Sequence, residues 1–241
     1  IEHRPVEDWK DRALAETNSQ ASLTSLLALA RYYERENKGA APDIDTPVPD
    51  WTATDRPRMR EPGAQIVAAL GEFDWSKLSV QQQIEAMRVY TVCFLRLGAP
   101  SEAIRQSLIK NFDAVYPTKS RELNSELAQM LVYLQSPTAA KKIVAALTKA
   151  PTQEEQIDLA KSLRHLRAGW TPELQESYFT WFTRAAGYRG GASFGLFVTR
   201  TAGLLYPCSA WPSRSVARSA PRASAGWCDC CGCADGASAT F

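Results

Sequence analysis

Cys228, Cys230, Cys231 and Cys233 crowd four thiols into one short stretch, and no other part of the chain is better suited to chemistry. C-x-C and C-C spacing could present soft thiolates to Zn or Cu(I). Cys228 with Cys231, and Cys230 with Cys233, each form a C-x-x-C pair. Covalent haem attachment would need His next, but Gly232 and Ala234 stand there, which argues against a c-type haem site. A zinc ribbon would need a second, more distant pair, and only Cys208 is left to supply it. The surrounding composition weakens the metal reading further. Residues 206–241 contain no Lys, Glu, Ile, Leu, Met, Asn, Gln or His. Ala, Arg, Gly, Pro, Ser, Cys and Trp dominate instead, and their codons are rich in G and C. A shifted reading frame in a GC-rich gene produces this composition. An out-of-frame or otherwise aberrant end is the preferred reading. A natural disordered end, which the shortage of aliphatic residues permits, and a thiol-based metal or redox site are the alternatives.

The rest of the chain offers single groups rather than constellations. His165, in Leu163-Arg-His-Leu166, has no second histidine near it in sequence, since His3 is the only other one. A histidine on a helix surface or in a groove is the simpler reading. Glu154 and Glu155 fall in the first turn of an expected helix, where carboxylates suit the helix dipole; paired acid/base catalysis has nothing else to support it. Lys161, Arg164 and Arg167 make a basic helix face of the ordinary solvated kind. Trp51, among prolines, could belong to a partner-binding loop, but an ordinary insertion is the simpler reading. Ser/His/Asp triads, Gly-rich phosphate loops and metal-spaced His pairs are absent from residues 1–205. No residue is assigned a catalytic, cofactor-binding or metal-ligating role.

The elements that would carry any such group are helices. Apolar content of 45% and charged content of 22% are globular values, and a net charge of +2 gives no reason to expect a nucleic-acid partner. No apolar run approaches the roughly 20 residues that a membrane span needs. The chain starts at Ile1 rather than Met, so a mature form or a fragment is expected. Helices are expected over Val6–Thr17 and Ser19–Glu36. A Pro-rich insertion follows over residues 38–63, where Pro42, Pro47, Pro49, Pro57 and Pro62 exclude continuous helix. Next come a short helix at Ala64–Leu70 and a strong one opened by Ser79, with Gln82 completing a capping-box pattern and Gly98 ending it. Val80, Ile84, Met87, Thr91 and Phe94 form its apolar stripe, and Val89, Val92, Cys93 and Leu97 widen it. Helices at Ser101–Val115, Ser120–Leu134 and Thr138–Ala150 continue the pattern. Thr152 and Glu155 suggest a second capping box, with Ile157, Ala160, Leu163 and Leu166 facing inward and Gly169 as the stop. Thr171-Pro172 starts a helix that carries Tyr178, Phe179, Trp181 and Phe182. After Gly190-Gly191 a last helix is expected at Ser193–Leu205. Period-two alternation is absent, so no sheet is expected.

The stronger helices open near Ser79, Ser120, Thr152 and Ser193, each after a shorter helix and a tight break. This spacing is that of helical-hairpin repeats. The fold class is therefore all-α: one HEAT- or armadillo-like solenoid over residues 1–205, in which stacked hairpins share a continuous core, followed by the tail.

Three blocks carry a family resemblance. The first is Arg12-Ala-Leu…Gln20-Ala-Ser-Leu…Ala28-Leu-Ala-Arg31. The second is Ser120-Arg-Glu-Leu-Asn124…Leu131-Val-Tyr-Leu-Gln135. The third runs from Ala150-Pro-Thr-Gln-Glu-Glu-Gln-Ile157 through Leu163-Arg-His-Leu166, Gly169-Trp-Thr-Pro-Glu-Leu174, Tyr178-Phe and Trp181-Phe182 to Tyr188-Arg-Gly-Gly191 and Ser193-Phe194. Together they resemble the HEAT-like segment of large exported proteins of planctomycetes and related bacteria. The resemblance runs from about Arg4 to Thr201, apart from the insertion, and stops where the tail begins. In that family the segment tends to lie between a sugar-dehydrogenase-like propeller and a c-type cytochrome domain that binds haem. The resemblance implies an exported, oxidoreductase-associated setting and a non-catalytic scaffold whose partners are a protein or flanking domains. Haem is implied only for a flanking domain, so no cofactor is expected in this segment.

Overall fold

The computed structural model describes residues 4–36 and 59–189. Residues 38–58 of the expected insertion, the helix expected at Ser193–Leu205, and the tail with Cys208, Cys228, Cys230, Cys231 and Cys233 lie outside the described residues. Among the described residues the chain is all-helical and has no β-strand. The helices are α1 (Lys10–Leu14), α2 (Ser19–Glu36), α3 (Glu61–Gly71), α4 (Val80–Leu97), α5 (Glu102–Val115), α6 (Arg121–Tyr133), α7 (Ala139–Lys149), α8 (Gln153–Leu163) and α9 (Pro172–Ala185), with 3₁₀ turns at Val6–Asp8 and Trp75–Lys77.

Most helices start where a side-chain oxygen can accept one of the orphan backbone N–H groups of a first turn. Ser79 Oγ accepts from the Gln82 N–H while Gln82 Oε1 accepts from the Ser79 N–H, at 3.3 and 3.0 Å, so the expected capping box of α4 forms. Ser101, Ser120, Thr152 and Thr171 cap α5, α6, α8 and α9 in the same single-sided way. At Thr152 only that half of the expected box forms: its hydroxyl accepts from the Glu155 N–H at 3.3 Å. Pro172 sits at the start of α9, where a missing N–H costs nothing.

Several expectations need correction. The helix expected over Val6–Thr17 is a 3₁₀ turn followed by the short α1, with Trp9 at the break. The insertion ends before residue 63, because Glu61, Pro62 and Gly63 already belong to α3. Proline is tolerated in a first turn, so Pro62 marks a helix start and not a loop. Gly63 is buried, and a Cβ there would lie 3.0 Å from the Leu97 Cβ; the missing side chain is what lets α3 approach α4 so closely. Helix α8 ends at Leu163, earlier than expected. Gly169 lies in the following loop at φ 73°, a conformation open to glycine. Val80 is 48% exposed despite its place on the expected stripe, whereas Tyr90, outside that stripe, is buried. Ile157 is only half-buried, and Leu159 takes the inner position.

The helices fall into two compact units, Ile1–Ala139 and Ala140–Phe241. In the first, α2, α4 and α6 form one layer, with α4 packed against both others. Their directions follow from paired contacts at each end. Gln20, at the start of α2, donates to Glu85, near the start of α4, at 2.7 Å. At the far ends, the Arg60 N–H donates to the Leu97 carbonyl at 2.9 Å, and its guanidinium reaches the Tyr33 carbonyl at 3.5 Å. Arg88 of α4 lies 3.8 Å from Glu126 of α6, and the Phe94 and Tyr133 rings stack 5.6 Å apart, further along both helices. The three helices are therefore parallel. Helix α3 starts at the C-terminal end of α4 and leads back to its beginning, and α5 runs back against α6 in the same manner. Leu23, Leu26, Leu29, Met87, Leu97, Leu123, Leu127 and Leu131 are almost wholly shut off from solvent. Each contributes about 1.5–3 kcal/mol by leaving water.

In the second unit, α8 and α9 form an antiparallel hairpin. Gln156, early in α8, meets Trp181, late in α9, while Tyr178 reaches the Ala160 carbonyl. Large aromatic side chains make this contact, so Tyr178, Phe179, Trp181 and Phe182 are all core residues, as their helical spacing suggests.

Candidate functional site

Polar and aromatic side chains meet around Gln156. Thr152 caps α8 so that Gln156, one turn in, faces the hairpin partner. Its Oε1 accepts from Trp181 Nε1 at 3.0 Å and also from the Tyr188 hydroxyl. Its Nε2 donates to the Ala150 carbonyl at 2.8 Å. Beside it, Gln153 Nε2 donates to the Arg189 carbonyl at 2.8 Å. Two glutamines of one turn thus hold the segment after α9. Trp181 packs edge-on against both Phe182 and Tyr188. The carboxamide is neutral across the working pH range and its bonds are directional, so Gln156 orders the hairpin. Sequence reading missed Gln156 because Gln153-Glu-Glu-Gln156 looks like an evenly polar first turn. The available signal was the three-to-four-residue spacing of Gln156 from Leu159 and Ala160, which puts it beside the buried stripe.

The other candidates do not converge. Cys93 lies on α4, fully buried, and burial pushes its thiol up to about 12, so the nucleophilic thiolate is absent at neutral pH. Burial, and secondarily the neighbouring Cys93, raise the phenol of Tyr90 above its usual range. His165 lies in the turn after α8, half-buried, where its Nε2 accepts from Arg164 Nε at 2.7 Å. Glu154 and Glu155 occupy the first turn of α8, and Lys161 and Arg167 are exposed near its other end. Trp51 and His3 lie outside the described residues. Among the described residues, no group of three or more His, Cys, Asp or Glu side chains could hold a metal ion. No helix among them is long and apolar enough to cross a membrane.

The first unit also presents an open face. Helix α4 is buried around most of its circumference, and its solvent-facing strip is Gln81, Glu85, Arg88, Val92 and Leu95, spaced by fours and threes. Gln20 of α2 reaches the strip at Glu85, and Thr24 and Arg31 of the same helix are also exposed. Glu126 of α6 lies 3.8 Å from Arg88 of the strip, and Glu122 and Gln129 of that helix are exposed. Glu85 ties the strips together, accepting from Gln20 at 2.7 Å and from Gln81 at 3.1 Å. At the half-buried Glu126, desolvation outweighs the pull of Arg88 and raises the carboxyl above the usual range. Compared with known proteins, the chain matches no family model, no curated protein and no solved structure.

Proposed function

We propose that this chain is a non-catalytic helical-repeat scaffold, a segment of a larger exported, c-type-cytochrome-associated oxidoreductase, holding flanking domains or a protein partner. The observation that carries the reading is the parallel layer of α2, α4 and α6, with α3 and α5 running back behind it. Successive helical hairpins stacked with like helices side by side produce this order, and repeat arrays use the continuous surface they create for binding. The polar cluster at Gln156 fits a structural role, since its carboxamide is spent on the Ala150 carbonyl and on neighbouring side chains. The exported, haem-associated setting rests on the sequence blocks alone.

Two measurements test the two halves of this reading. The coding DNA beyond codon 205, read in the other two frames, is expected to continue as charged, Leu-containing helical sequence and to reach a Cys-x-x-Cys-His motif. If neither frame does so, the cytochrome-associated setting is lost. The purified chain is expected to turn over no sugar with any artificial electron acceptor, and measurable turnover would overturn the scaffold assignment. The spacing of Cys228, Cys230, Cys231 and Cys233 supports a second reading as a thiol-based metal or redox protein. Mass spectrometry of the native protein decides it: a peptide covering residues 225–241 with stoichiometric Zn or Cu would establish that reading, and absence of the peptide would end it.

A further inference from the structure

We draw no further inference here: the strongest candidate, the solvent-facing strip of α4 around Arg88, Val92 and the exposed Leu95 in the parallel layer of the first unit, is an open surface for which nothing in the structure shows what covers it.

Discussion

The guanidinium of Arg105, on α5, donates through Nε to the carbonyl of Leu134, at the end of α6, at 2.7 Å. The same side chain reaches the Gln135 carbonyl at 3.4 Å and pairs with Glu102 at 2.7 Å. The last carbonyls of a helix have no partner within it, and a cation there also suits the helix dipole. Arg60 performs a related service at the C-terminal ends of α2 and α4. In both cases a residue at or within the first turn of a returning helix satisfies the end of a helix in the parallel layer.

Replacing Arg105 with Ala is expected to lower stability by about 2 kcal/mol, because a charge-assisted bond is lost and a largely buried carbonyl is left unsatisfied. Arg105→Lys keeps the charge but not the fork, and should fall between the two. Urea unfolding of the full chain measures both. An Arg105→Ala variant within about 0.5 kcal/mol of the parent would mean that water replaces the guanidinium without loss.

Gln135 is the one non-glycine residue with positive φ among the described residues, at 53°. It sits where α6 turns off. The Ser136 N–H bonds back to Leu131 at 2.9 Å and the Gln135 N–H to Val132 at 3.0 Å, the two bonds of a Schellman motif. Its side chain also donates to the Val132 carbonyl at 2.8 Å. Ala and Gly both delete that side-chain bond, but only Gly relieves the left-handed backbone. Gln135→Gly should therefore be more stable than Gln135→Ala by about 1 kcal/mol. The reverse order in thermal unfolding would place this residue in ordinary helical backbone.

Gln156→Leu leaves the buried Trp181 N–H without its acceptor and frees Tyr188, at an expected cost of about 2–4 kcal/mol. Gln156→Glu is more discriminating. The carboxylate still accepts from Trp181 and Tyr188 but cannot donate to the Ala150 carbonyl, whereas the protonated acid can. The Glu variant should thus recover stability relative to the parent as pH falls from 7 to 4, visible in the tryptophan fluorescence of unfolding. A Glu variant with a pH profile parallel to the parent's would show that the Ala150 bond contributes nothing.

Glu126 has its carboxyl raised by burial between α4 and α6, with Arg88 at 3.8 Å pulling the other way. A folded-state value above the unfolded one means that the folded protein holds the proton more tightly. Stability from this site is then present at low pH and is lost as pH rises through the carboxylate range. Glu126→Gln should accordingly be more stable than the parent at pH 7, and the gap should close on acidification. If the substitution is destabilising at pH 7, the pairing with Arg88 outweighs desolvation.

Cys93 should resist alkylation. With the thiol buried and its pKa near 12, iodoacetamide at pH 8 is expected to modify it at least about 100-fold more slowly than an unfolded-chain cysteine. Peptide mapping after timed quenching reads this site separately from the others. Labelling at the unfolded rate would require α4 to be open.

How much of this was legible in the sequence depends on the range of the interaction concerned. Ser19–Glu36, the Ser79–Gln82 box, the stop at Gly98, and the starts at Ser101, Ser120, Thr152 and Thr171 are local matters, decided by backbone groups within one turn of the named residue. The sequence by itself therefore determined that the described residues form helices, and most of the helix ends. Burial was less legible: Val80 lies on the apolar period of α4 yet points to water, and Tyr90 lies off it yet is buried, because a helix packed on several sides has no single inner stripe. Only the tertiary structure decided that α2, α4 and α6 run parallel and that Arg60 and Arg105 close their ends. It likewise decided that Gln156 holds a hairpin together. Each of those contacts joins residues far apart in the chain, and no spacing rule within a helix carries information about which distant carbonyl a side chain will meet.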